Sequence, residues 1–235
     1  MGISIKDVDV ASISPMMQHY VKTKLEYKDS ILFYRLGDFY EMFFEDAEAV
    51  SRELELTLTG KDCGMAERAP MCGVPFHAAE TYINRLISKG YKVAICEQME
   101  DPKQAKGIVK REVIRVVTPG TTLNTQALDE TKNNYLMSIV YLARSFGIAV
   151  TDVTTGEFLV TEVDSTRALL DELYKYTPSE IICNEAFYMS GVDLEELKNR
   201  LNFLITPLEN HYFDDAVCRD TLKRHFHVGD RKSVV

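Results

Sequence analysis

From Met17 onward, apolar side chains recur at helical spacing, with Tyr20, Val21 and Leu25 completing one stripe. Ser14-Pro15 just ahead reads as an N-cap followed by proline at the first helical position, where its missing N–H is harmless. The pattern predicts a helix ending near Asp29, a buried strand over Ile31–Leu36 and a turn at Gly37-Asp38. A helix from about Glu41 to Glu53 and a short strand at Leu54–Leu58 follow. Ala79, Ile83, Leu86 and Ile87 mark the buried face of a further helix, Ala78–Ser88, stopped by Gly90. Tyr91–Cys96 and Glu112–Val117 then read as strands.

A break interrupts this run. Pro119-Gly120 sets up a tight turn, and residues 121–134 contain only Leu123, Ala127 and Leu128 as apolar positions. We read residues 1–120 and 135–235 as two domains and 121–134 as the linker between them. The second begins with strands at Tyr135–Leu142, Gly147–Val153 and Glu157–Val163, the last two joined across Thr154-Thr155-Gly156. A helix capped by Ser165 runs over Thr166–Tyr176 and ends at Thr177-Pro178. Strand Glu180–Cys183 and helices near Asp193–Leu201 and Asp214–His225 follow. The expected class is α/β in both domains.

Composition narrows the function classes. The 235 residues include 46% hydrophobic and 27% charged, the balance of a globular protein, and no apolar run is long enough for a membrane span. The N-terminus carries charges where a signal peptide needs an apolar run, which favours an intracellular protein. Five widely spaced cysteines with no C-x-x-C pair read as reduced thiols, with a metal around Cys63, Cys72 and His77 as the alternative. The net charge of −9 argues against nucleic acid, but it is unevenly spread. Residues 1–120 hold 16 Lys/Arg against 18 Asp/Glu, whereas 121–235 hold 11 against 18. Within the first set, Lys103, Lys106, Lys110, Arg111 and Arg115 face the single Glu112. That stripe reads either as a solvated loop beside a strand or as a patch that holds phosphates.

Catalytic constellations are missing from the sequence. There is no P-loop, no G-x-G-x-x-G, no H-E-x-x-H and no G-x-S-x-G. Glu45-Asp46 and Glu195-Glu196 are adjacent pairs that point to different sides of a helix. Asp152, at a strand end, is the one isolated carboxylate a metal-dependent nuclease could use, and two-metal chemistry needs several.

The segment Arg35–Phe43, RLGDFYEMF, concentrates a turn, aromatic residues and acids. Tyr40, Met42 and Phe43 are expected in the core. Phe39 follows the turn directly, so its ring can project outward. An exposed phenylalanine with a carboxylate at i+2 suits disturbed duplex DNA, because an aromatic wedge unstacks a weakened base step and an acid can bond the exposed base edge.

Leu36-Gly37-Asp38-Phe39-Tyr40-Glu41 resembles the Phe-x-Glu motif of the MutS family of DNA mismatch-repair proteins. Pro70–Ala78 (PMCGVPFHA), Val93–Gln98 followed by Asp101-Pro102, and Arg115–Thr121 (RVVTPGT) resemble further blocks of the same family, in order and at matching spacing. Residues 14–121 match closely; residues 135–235 match more loosely, through Asp152–Phe158 (DVTTGEF). The resemblance implies a mixed-sheet α/β mismatch-recognition domain followed by a ribonuclease-H-like connector that is not a nuclease. It implies that Phe39 stacks beside a mispaired or unpaired base and that Glu41 hydrogen-bonds it, with protonation of the acid needed where it faces an acceptor. Leu36, Asp38 and Met71 are expected near the same base pair, and Lys61, Lys110 and Arg111 at the phosphate backbone. Discrimination then arises from DNA deformability, so that one site accepts many mismatches.

Family members continue into lever, clamp and C-terminal ATPase regions. None is present in these residues, which are therefore expected to form a monomeric fragment without ATP hydrolysis. ATP and Mg, homodimerisation, a MutL-type partner through the connector, and a cytoplasmic, nucleoid-associated bacterial setting are what the resemblance implies for the full-length protein. A protein-docking module and a ribonuclease-H-like nuclease are the alternatives.

Overall fold

A computed structural model describes residues 4–100, 107–122 and 133–228. Lys103, Lys106 and most of the expected 121–134 linker lie outside these residues. The chain divides into two compact units, Met1–Thr131 and Lys132–Val235. Both are mixed α/β. Among the described residues no helix is long and apolar enough to cross a membrane.

The first unit is built on a six-stranded sheet. Its strands are β1 (Ile31–Leu36), β2 (Phe39–Phe43), β3 (Thr59–Lys61), β4 (Ala69–Pro75), β5 (Val93–Gln98) and β6 (Arg111–Val117), in the order β3-β4-β2-β1-β5-β6. Only the β1–β5 pair is parallel. Helices α2 (Phe44–Leu54) and α3 (Ala79–Ser88) cover one face with Ala47, Val50, Ile83 and Leu86 against Phe33, Tyr40, Met42 and Val74. Helix α1 (Pro15–Glu26) covers part of the other face, packing Met17, Tyr20 and Val21 on Leu32, Tyr34 and Phe43. The large aliphatic and phenylalanine side chains among them contribute roughly 1.5–3 kcal/mol each by leaving water.

Several predicted elements shift, each for an identifiable reason. Leu25 is 56% exposed and does not join the stripe of α1, which ends at Glu26. The helix expected from Glu41 starts instead at Phe44, because Phe39–Phe43 pairs with both β1 and β4. A residue at positive φ, Phe44 at +54°, makes the sharp strand-to-helix corner. Asp46 on α2 then accepts from Leu32 N–H at 2.9 Å, satisfying a β1 group that β2 has left behind, and pairs with Lys24 at 2.9 Å. Burial pushes the Asp46 carboxyl up, against the pull of Lys24 and the Leu32 N–H. Leu54 ends α2 rather than starting a strand, and the strand that follows is Thr59–Lys61.

The second unit carries a five-stranded sheet of β7 (Tyr135–Leu142), β8 (Ser145–Asp152), β9 (Glu157–Val163), β10 (Glu180–Asn184) and β11 (Leu204–Leu208), in the order β11-β10-β7-β8-β9. The first three form an antiparallel meander, and β10 runs parallel to both β7 and β11. This order fits the ribonuclease-H-like architecture expected of it. Helices α4 (Thr166–Tyr176) and α5 (Leu194–Leu201) bury Leu169, Leu173 and Leu197 on Ile139, Ile148 and Ile181. Ser165 and Asp193 cap the two helices by accepting from Ala168 and Glu196 N–H. Helix α6 (Asp215–Phe226) buries none of its residues among those described, but Phe226 lies 5.6 Å from the Phe158 ring of β9.

Candidate nucleic-acid interface

The period-two geometry of β2 separates its side chains. Tyr40 and Met42 enter the core under α2 and α3, while Phe39, Glu41 and Phe43 face the side that carries α1. Register then aligns neighbours on that same side. Leu36, Phe39 and Pro75 form one rung, and Tyr34, Glu41 and Gly73 the next. Phe43 stands opposite Met71, which is opposite Thr59. Tyr20 of α1 covers Phe43 with rings 4.9 Å apart, and its hydroxyl donates and accepts at the Phe43 backbone, so Phe43 itself is closed off. The Phe39 rung is open: the ring is 46% exposed.

The turn that carries this ring is braced from three directions. Gly37 has φ +58°, a region where glycine meets no steric penalty. Its N–H donates to Gln98 Oε1 at 3.0 Å, and its carbonyl accepts from Arg35 Nε. The Asp38 carbonyl accepts from Phe76 N–H at 2.9 Å, leaving Asp38 itself exposed. Arg35 also stacks over the Phe76 ring at 3.8 Å and pairs with Glu97, which in turn accepts from the Tyr40 hydroxyl. Burial, and then the Glu97 carboxylate, push that hydroxyl up to about 12.

Glu41 lies behind Phe39. Its Oε2 is 2.6 Å from Lys61 Nζ, in an ion pair whose acid is 16% and whose base is 34% exposed. Gly73, opposite Glu41, lets the strands approach closely: a Cβ there would sit 3.2 Å from the Tyr40 carbonyl and in ordinary contact with Glu41 Cγ at 3.5 Å. Leu36 and Met71 are half-buried against the core beneath. Phe39, Glu41, Leu36, Met71 and Lys61 thus share one face, with Asp38 at its edge.

The other expected cations are placed differently. Lys110 is exposed, and its ammonium is 2.7 Å from Glu112. Arg111 is only 8% exposed: its guanidinium donates to the Arg35 and Val109 carbonyls and lies 5.2 Å from the Tyr34 ring centroid. From edge strand β6 it reaches past β5 to β1, a buried support rather than a surface group. Burial, followed by the nearby Arg111 and Lys22 charges, holds the His19 imidazole below its usual value, and its Nδ1 lies 2.9 Å from the Tyr34 hydroxyl. Sequence reasoning missed Phe76 and Gln98 as braces of the Gly37-Asp38 turn and Gly73 as the strand neighbour of Glu41. The signal for each lay in the blocks Pro70–Ala78 and Val93–Gln98, which show no periodicity of their own.

Asp152 is committed to a turn. One oxygen accepts from Thr154 N–H and Oγ1 at 2.8 and 2.6 Å, the other from Asn134 N–H at 3.0 Å. Burial raises its carboxyl, but these bonds outweigh it and the net position is below the usual value. Among the described residues no group of three or more His, Cys, Asp or Glu could hold a metal ion. Cys63, Cys72, Cys96 and Cys183 are buried free thiols, and burial pushes Cys72 and Cys96 up to about 12.

Comparison with known proteins gives this face a context. Residues 14–126 match the family model for MutS domain I, and residues 134–234 match that for MutS domain II. The chain is 64% identical over 220 residues to the DNA mismatch repair protein MutS of Lachnoclostridium phytofermentans, covering 94% of this chain and 24% of the relative. It is 56% identical to the protein of that name from Acetivibrio thermocellus, covering 92% and 25%, and 54% identical to that of Clostridium tetani, covering 86% and 23%. The chain therefore spans about a quarter of the length of these relatives. With consecutive family domains matched along almost its whole length, the chain belongs to the MutS family, whose domains I and II it carries.

Proposed function

We propose that the first unit recognises mispaired or unpaired bases in duplex DNA as the first step of mismatch repair. Phe39 is the wedge and Glu41 the hydrogen-bonding partner of the displaced base. One observation supports this above the others: Phe39 is an exposed aromatic on a braced turn, next to a half-buried acid on the same sheet face. A matched base step resists unstacking by a few kcal/mol, whereas a mispaired one yields more readily, and the face reads that difference. Leu36 and Met71 line the floor beneath the base, and Asp38 borders it. Lys61 and Lys110 supply phosphate contacts, while Arg111 supports the strands from beneath.

The second, more acidic unit is proposed as a connector that docks a MutL-type partner. The tied-up Asp152 supports docking over phosphodiester cleavage. Residues 1–235 contain no P-loop, so ATP with Mg, and homodimerisation, are assigned to other regions of the full-length family protein.

The test compares affinity for a single-mismatch duplex and its matched control at one fixed salt concentration, with wild type and Phe39→Ala side by side in the longest natural chain containing these residues. Wild type is expected to prefer the mismatch and Phe39→Ala to lose that preference by at least tenfold. Equal preference in both proteins overturns the wedge.

A further inference from the structure

The Glu41–Lys61 ion pair occupies the very face on which a displaced base would be read. Lys61 closes the three-residue edge strand β3, opposite Ala69, and its side chain reaches across the sheet to Glu41 on β2. The ammonium is also 5.7 Å from the Phe43 ring centroid, so its route crosses apolar surface. An ammonium held at 2.6 Å by a carboxylate is largely neutralised and offers little to a phosphate. Equally, a carboxylate so paired brings little net repulsion to DNA.

From this arrangement we propose that Lys61 is a specificity-determining residue that exchanges partners when a mismatch is engaged. On matched DNA no base is displaced, Glu41 keeps Lys61, and the pair stays neutral. On mismatched DNA, Glu41 gives up Lys61 for the edge of the displaced base, and the released ammonium takes a phosphate. Recognition of the base thereby creates one backbone contact that matched DNA never receives. This rests on the proposed reading of Phe39 and Glu41.

The exchange has a signature in salt dependence that an ordinary phosphate lysine lacks. Each phosphate neutralised adds about 1 to the slope of log affinity against log salt concentration. Slopes for mismatched and matched duplexes are measured in the longest natural chain containing these residues, for wild type, Lys61→Met, Lys61→Arg, Glu41→Gln and Phe39→Ala. In wild type, the mismatched slope is expected to exceed the matched one by about 1 more than it does in Lys61→Met. Lys61→Arg keeps this excess. Glu41→Gln removes it by steepening the matched slope, because Lys61 is then free on both duplexes.

If Lys61→Met lowers both slopes equally and Glu41→Gln leaves the matched slope unchanged, the exchange is overturned and Lys61 is a plain phosphate contact. If Lys61→Met changes neither slope, Lys61 makes no backbone contact and the proposal fails as well. Phe39→Ala separates this from the underlying reading: a mutant that still prefers the mismatch defeats the wedge itself. A mutant that loses preference, beside a wild type without the excess slope, defeats only the exchange.

Discussion

Asp152 and Arg111 show how residue-scale context decides what a charged group does. Asp152 stabilises its turn through three hydrogen bonds, two of them from backbone N–H groups. Asp152→Ala should cost the second unit about 2–3 kcal/mol in a urea titration, since buried donors lose their acceptor. The carboxyl lies lower in the folded than in the unfolded chain, so its stabilisation is present above the ordinary aspartate range. It is lost as pH falls through the lowered folded value, and Asp152→Asn should flatten this acid limb of the stability profile. Placement of Phe39 outside was legible because it directly follows the turn, and of Tyr40 and Met42 inside because bulky apolar side chains crowded around one corner pack into a core. The burial of Arg111 was not, since its acceptors include the Arg35 carbonyl, 76 positions away and brought close only by the fold.

At the scale of elements, turn geometry sets both stability and the position of Phe39. Gly37 at φ +58° has open space around it, so Gly37→Ala meets strain from the backbone alone, about 1 kcal/mol. That variant should lower the urea midpoint and weaken mismatch preference while leaving binding to matched DNA nearly unchanged. The β7–β8 hairpin uses Ala143 at +49° and Arg144 at +70°, a pairing that usually favours Asn-Gly. Arg144→Gly is expected to stabilise the second unit by about 0.5–1 kcal/mol in the same assay. Helices, with their 3.6-residue stripes and caps, were the most legible elements. Strand β2 was misread because packing on both faces of its sheet erases the alternation of apolar and polar residues. Strand β4 was missed because Pro70, Gly73 and Pro75 are residues that strand interiors disfavour, although Pro70 lies beyond the β2 ladder and Pro75 at its end. Edge strand β11 hid behind Pro207 in the same way.

Across the whole chain, the two units have hydrophobic cores that share no residue. Leu173→Ala, made in the second core, is expected to cost that unit about 2–5 kcal/mol while amide exchange in β1, β2 and β5 stays at wild-type rates. The α/β class and the MutS family were legible through motif order, whereas the Glu41–Lys61 pairing depends on a three-residue strand whose partner strand was itself invisible in the pattern. The braced turn at Gly37-Asp38 has a consequence in time. Its hydrogen bonds to Gln98, Arg35 and Phe76 exist before any duplex arrives, so Phe39 has no ordering step to complete on contact. On the proposed reading, the dwell at each base step is set by how quickly the DNA opens rather than by rearrangement of the protein. Intact steps release such a rigid probe quickly, and discrimination accumulates in residence time rather than in the rate of encounter.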